Sequence, residues 1–250
     1  MGCRDPVQLA YAAVSGAWVV LPTYNEAENI EAIVRAALMR LQASVPEHHI
    51  LVVDDGSPDG TGEIAERLAA ELPALEVLHR PGKGGLGPAY MAGFARALAG
   101  GADLVIEMDA DFSHDPADLP RLIEEARHAD LVLGSRYVPG GGVTNWGVLR
   151  RLLSRGGSAY ARLLLGLEVR DLTGGFKCFN RRVLESMDPD ATYADGYVFQ
   201  VELTYRAAKA GFSIREIPIV FRERRLGVSK MTPRIALEAV WKVPALRLGA

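Results

Sequence analysis

Short apolar, β-rich runs alternate with helix-periodic stretches through the first half of this chain, and that alternation constrains its fold more than any other feature. The runs are Trp18 to Leu21, Ile50 to Val53, Leu75 to Leu78, Leu104 to Met108 and Leu131 to Leu133. Between them, Ile30, Ile33, Val34, Ala37, Leu38 and Leu41 recur at helical spacing, as do Ile64, Ala65, Leu68 and Leu72. Successive βα units of this kind predict an α/β fold whose mostly parallel sheet is covered on both faces. After Pro139 the pattern changes to a Gly-rich loop, a basic apolar helix around Leu149 to Leu167, and a mixed region ending with Ser213 to Phe221. The expected organisation is an N-terminal arm over 1–16, one domain over 17–231 and an amphipathic tail over 232–250.

Four strand ends carry polar punctuation, and in a parallel sheet all four lie along one edge. They are Pro22-Thr-Tyr-Asn-Glu26, Asp54-Asp-Gly-Ser-Pro-Asp-Gly-Thr61, Asp109-Ala-Asp111 and Gly134-Ser-Arg-Tyr137. Ligands of open α/β sheets bind at this edge. Strand side chains alternate between faces, so Asp109 and Asp111 converge on one ligand only if the backbone is leaving the strand at Ala110. Paired carboxylate oxygens suit a hard cation that shares its shell with substrate phosphates. Helix capping is the plainer alternative: it accounts for Asp115 before Pro116 but not for Asp109. The Asp54 to Thr61 segment likewise reads as a turn when taken alone. Acidic residues on three ends and Arg136 on the fourth together imply one polar ligand spanning the edge.

Gly82-Lys-Gly-Gly-Leu-Gly87 fits a dinucleotide-binding fingerprint, with Asp103 about twenty residues on. It follows the third strand rather than the first, whose end at Pro22-Thr-Tyr-Asn-Glu26 has no glycine; as a Walker A loop it fails because Lys83 is followed by glycine instead of Ser or Thr, so a flexible loop over a substrate is the better reading. Cys3 and Cys178 are too few for a disulfide framework, and neither they nor the five histidines have metal-ligand spacing. No stretch approaches the roughly 18 apolar residues of a membrane span, and Arg4 and Asp5 argue against a signal peptide. A reducing compartment and no nucleic-acid partner are expected.

The four edges, extended by Ser154-Arg-Gly156, Asp171-Leu-Thr-Gly-Gly-Phe176, Gly196-Tyr-Val-Phe-Gln200 and Gly227-Val-Ser-Lys230, give eight ordered marks between Trp18 and Lys230. On them the chain resembles family 2 glycosyltransferases of the GT-A fold, and more closely the dolichyl- or polyprenyl-phosphate mannosyltransferases. The resemblance implies a Rossmann-like single domain that transfers mannose from GDP-mannose to a polyprenyl (dolichyl-type) phosphate. It places the protein on the cytosolic face of a membrane. By it, Pro22, Tyr24, Glu26, Val53 and Asp55 hold the guanosine. Asp109, Ala110 and Asp111 meet the ribose-diphosphate and its Mg²⁺ or Mn²⁺, while Arg136, Arg224 and Lys230 face phosphates. Some relatives place a metal-contacting glutamine where this chain has Ser113.

A lipid monophosphate with a second pKa of about 6 is already a nucleophilic anion at neutral pH, so no general base is obligatory. Such a site needs cations on both sides of the reacting carbon, and Arg136, Arg150 and Ser154 are the candidates for the acceptor phosphate. In-line displacement at the anomeric carbon inverts it. Leu149, Leu152, Leu153, Leu163, Leu164 and Leu165 accompany four arginines between Val148 and Leu167, a combination that reads as an interfacial helix against anionic lipid, or as core. Peripheral membrane contact is expected, with any further anchor borrowed from a membrane-anchoring protein or a fused domain. The alternatives are a UDP-glucose-dependent lipid phosphate glycosyltransferase, a non-catalytic sugar-nucleotide binding module and, more distantly, a dinucleotide-dependent oxidoreductase.

Overall fold

The computed structural model describes residues 14–187, 196–223 and 241–247. The chain runs through β1 (Gly16–Thr23), α1 (Ile30–Gln42), β2 (Glu47–Asp54), α2 (Thr61–Glu71), β3 (Leu75–His79), α3 (Leu86–Ala99) and β4 (Leu104–Glu107). A short 3-10 turn (Pro116–Asp118) then leads into α4 (Leu119–Glu125), β5 (Leu131–Ser135), β6 (Gly142–Val143), α5 (Val148–Leu165) and β7 (Lys177–Asn180). The described elements end with α6 (Arg181–Glu185), α7 (Gly196–Lys209), β8 (Ile214–Pro218), β9 (Val220–Phe221) and a helical turn over 241–247. All five expected strands are present, and β8 and β9 resolve the mixed region.

Seven strands form one sheet in the order β3-β2-β1-β4-β7-β5-β8, parallel except for β7, and β6 pairs with β9 separately. Alternation along the strands builds two cores. Val19, Leu21, Ile50, Val52 and Ile106 face α1, α2 and α4, whereas Trp18, Val20, Leu51, Val53 and Val105 face α3, α5 and α7. The buried face of α1 is the expected set, Ile30, Ile33, Val34, Ala37, Leu38 and Leu41.

β7 is antiparallel to both neighbours, with Lys177 opposite Glu107 on one side and Leu133 on the other. Its first residue therefore lies at the edge where the parallel strands end, and the segment before it, Asp171 to Phe176, is delivered into the site. The tail expected over 232–250 lies partly outside the described residues. Within 241–247, Val243 is buried in the second core, Arg247 Nη1 donates to Leu164 O at 2.5 Å, and Trp241 stays exposed.

Candidate active site

At the ends of β1 and β2 the two vicinal aspartates divide their work. Asp54 knits loops: Oδ1 accepts from Thr23 Oγ1 at 3.1 Å and Ser57 Oγ at 2.6 Å, and Asn25 N–H donates to Ser57 Oγ at 3.0 Å. Glu26, buried with its amide donating to Thr61 Oγ1 at 2.9 Å, joins the same weave. Asp55 reaches the other way, accepting from Arg80 and from Gly84 N–H at 3.0 Å. The Gly82 to Gly87 loop is thus fastened by Asp55, a tether that its glycine content alone conceals. Pro22 and Tyr24 are partly buried and Val53 fully so, all on this edge.

β4 stops at Glu107, so the backbone has already left the strand when it reaches Asp109, and Phe112 takes a left-handed φ of 61°. Asp111 turns its Oδ1 to the Ser113 N–H at 3.0 Å and is buried; Asp109 is about a third exposed, at 35% of its side chain. Asp115 caps the 3-10 turn by accepting from Ala117 N–H at 2.9 Å, so the capping role and the Asp109/Asp111 pair belong to different residues. Behind the pair lies His114, which sequence reasoning did not single out. Its Nδ1 accepts from Asp109 N–H at 3.1 Å, and its ring stacks on Phe176 at 4.8 Å. Burial pushes its pKa down to about 4, so the ring is neutral and its Nδ1 is already occupied.

Among the described residues no three His, Cys, Asp or Glu side chains gather into a metal cluster. The acidic turn instead offers two carboxylates and, beside them, a buried Ser113 Oγ without a hydrogen-bond partner among the described residues. An all-oxygen, incomplete set fits a hard divalent cation whose remaining positions go to water and substrate phosphate, and does not fit a closed structural site. Beneath the turn, Glu107 and Lys177 are fully buried cross-strand neighbours, and Lys177 Nζ donates to Gln200 O at 2.7 Å. Burial pushes the Glu107 carboxyl up and the Lys177 ammonium down, each opposed by the charge of the other.

Across the edge stands a cluster of cations and aromatic rings. Arg136, expected to face phosphate, is instead buried against Asp171: Nε donates to Oδ2 at 2.7 Å and Nη2 to Oδ1 at 2.6 Å, with a third bond from Nη2 to Thr173 Oγ1 at 2.8 Å. The Asp171 to Phe176 stretch therefore supplies the other half of a buried ion pair. Arg136 lies 5.5 Å and Arg150 4.2 Å from the centre of the Trp146 ring, so both guanidinium groups meet the same indole. Arg150 Nη1 donates to Glu223 Oε1 at 2.8 Å, and Tyr137 donates its hydroxyl proton to Ser154 Oγ at 2.6 Å. The structure thus gathers Arg136, Arg150 and Ser154; Arg224 and Lys230 lie outside the described residues.

Comparison with known proteins agrees with this architecture. Residues 18–188 match the family described as Glycosyl transferase family 2. The chain is 50% identical over 231 residues to an undecaprenyl-phosphate mannosyltransferase of Micrococcus luteus, covering 92% of this chain and 93% of that one. It is also 50% identical over 227 residues to a polyprenol monophosphomannose synthase of Mycolicibacterium smegmatis, covering 90% and 84%. In three dimensions it resembles glucosyl-3-phosphoglycerate synthase from Mycobacterium tuberculosis in complex with phosphoglyceric acid, with a TM-score of 0.71 at 22% identity over 95% of this chain and 81% of that one. A complex of the same synthase with Mn²⁺, uridine diphosphate and phosphoglyceric acid superposes at a TM-score of 0.67 and 24% identity, covering 96% of this chain and 79% of that one. With its sheet, its acidic turn and half-identical relatives all in agreement, the chain belongs to glycosyl transferase family 2.

Proposed function

We propose that this protein is an inverting mannosyltransferase that moves mannose from GDP-mannose to polyprenyl phosphate, giving a β-linked mannosyl phosphopolyprenol. The observation that carries the reading is the division of one sheet edge into an acidic turn at Asp109 and Asp111 and a cationic, aromatic cluster around Arg150. A sugar nucleotide and a second anion need that pairing if they are to meet without mutual repulsion. The names of the half-identical relatives supply the acceptor class.

Asp109 and Asp111 would hold Mg²⁺ or Mn²⁺, which when bound stabilises the charge on the departing nucleoside diphosphate. Arg150 is the better cation for the acceptor phosphate, because 29% of its side chain is exposed against 3% for Arg136. The incoming phosphate would take the place of Glu223 on Arg150, with Ser154 beside it. Arg136, its charge balanced by Asp171, then acts chiefly by holding Trp146 and Tyr137 in place. His114 is not needed as a base, since the acceptor is already ionised and the Nδ1 is engaged.

No helix among the described residues is long and apolar enough to cross a membrane. Peripheral contact through α5 fits its surface: Leu149, Leu152, Leu153 and Leu163 are exposed, with Arg151, Arg155 and Arg162 exposed on the same helix. Leu165 is buried in the core. A membrane-anchoring partner remains part of the same proposal.

The test is transfer of labelled mannose from GDP-mannose to polyprenyl phosphate in detergent, with Mg²⁺, with Mn²⁺ and with chelator, beside UDP-glucose. Metal-dependent lipid-linked mannose, lost in Asp111→Asn with an unchanged melting temperature, is the expected result. Product from UDP-glucose alone would overturn the donor, and full activity in Asp111→Asn would remove that residue from metal binding.

A further inference from the structure

The base of the nucleotide has to be recognised somewhere, and the sheet order indicates where. Neighbouring strands lie about 4.8 Å apart. In the order β3-β2-β1-β4, the ends of β2 and β3 are two and three strands from the acidic turn, roughly 10 to 14 Å away. A nucleoside that extends from a diphosphate at that turn on the side away from the Arg150 cluster crosses the end of β1, and its base reaches the rim formed by the loops after β2 and β3.

That rim is fastened together. Gly56 has a φ of +69°, and a Cβ there would come to 3.1 Å from Gly82 Cα, so the two loops run backbone against backbone. Asp55 ties them through Arg80 and Gly84 N–H, and a Cβ on Gly84 would stand 2.5 Å from Arg80 Nη2. Lys83 projects from this tethered loop. It is exposed, no carboxylate pairs with it among the described residues, and its ammonium lies 4.5 Å from the centre of the Tyr24 ring at the end of β1.

We infer that Lys83 is a specificity-determining residue that reads the nucleobase. The Lys83 ammonium rests over the Tyr24 ring at this rim, and there it donates to the O6 and N7 acceptors that guanine carries on a single edge. A pyrimidine has no N7, so the same ammonium gains less from uracil. Arg80 is less suited to this task because its guanidinium is committed to Asp55 and largely covered, at 18% side-chain exposure. This assignment rests on the reading of the donor as a guanosine diphosphate sugar.

Calorimetric titration of GDP, IDP and UDP in the presence of Mn²⁺, into the wild type, Lys83→Ala and Lys83→Arg, tests it. IDP keeps O6 and N7 and lacks only the 2-amino group. Lys83→Ala is expected to weaken GDP and IDP about tenfold while leaving UDP within about twofold, and Lys83→Arg to retain most of the GDP affinity. An equal loss for all three nucleotides would overturn the inference by making Lys83 a general phosphate cation. Undiminished GDP binding in Lys83→Ala would also overturn it, with the wild-type preference for GDP leaving the donor reading intact. A wild type that binds UDP more tightly than GDP would remove both together.

Discussion

Asp171 meets Arg136 with two side-chain hydrogen bonds in a place that water does not reach, and the energetics of such a pair are lopsided. Forming it contributes little net stability, because both charges are desolvated; breaking it leaves one charge buried and unmatched. Asp171→Asn is therefore expected to destabilise the fold by about 3–5 kcal/mol in urea unfolding, while Asp171→Leu combined with Arg136→Met recovers much of that loss. A cost under about 1 kcal/mol for the single substitution would mean that solvent reaches the guanidinium after all. Individual residues were unevenly legible. Asp109, Asp111 and Asp55 stand in motifs whose composition exceeds what a turn requires, so their placement on the edge could be anticipated. His114 carried no mark of its own, and Asp171 stood only at the head of one of the ordered motifs with no partner assigned: what matters is burial beside a partner 35 residues away from Asp171, or beneath a backbone amide, and neither leaves a local signature.

α5 is the element whose pattern admits two readings, since leucines at helical spacing serve a core and a lipid surface equally well. The fold sends Ser158, Ala161 and Leu165 of this helix to the interior. Leu163 is left 84% exposed and Leu152 63% exposed, with arginines flanking them. Replacing Leu152 and Leu163 together by serine removes apolar surface that the described fold leaves mostly open. The melting temperature in solution is expected to stay within about 2 °C, since such surface changes fall within about 0.5 kcal/mol. Co-sedimentation with vesicles containing anionic lipid is expected to fall several-fold. Unchanged vesicle binding would remove α5 from the proposed membrane contact, and a large drop in melting temperature would return these leucines to internal packing.

At the scale of the whole molecule, two helical layers clasp one sheet, and α3 lies close on β1 at Gly93. A Cβ on Gly93 would stand 2.4 Å from Val20 Cγ1 and 3.2 Å from Val53 Cγ2, so Gly93→Ala is expected to lower stability by about 1–3 kcal/mol in denaturant unfolding. A neutral result would show that the layers can separate without penalty. By itself the sequence determined the α/β class, five of the strands, the buried face of α1, and the collection of polar strand ends along one edge. Those follow from periodicity and from backbone chemistry acting over a few residues. The tertiary structure alone decided that β7 runs backwards between β4 and β5, that Asp171 thereby reaches Arg136, and that Asp55 fastens a glycine loop so that Lys83 stands over Tyr24. Each of these depends on groups far apart along the chain, brought together only when burial of both sheet faces fixes the order and direction of the strands.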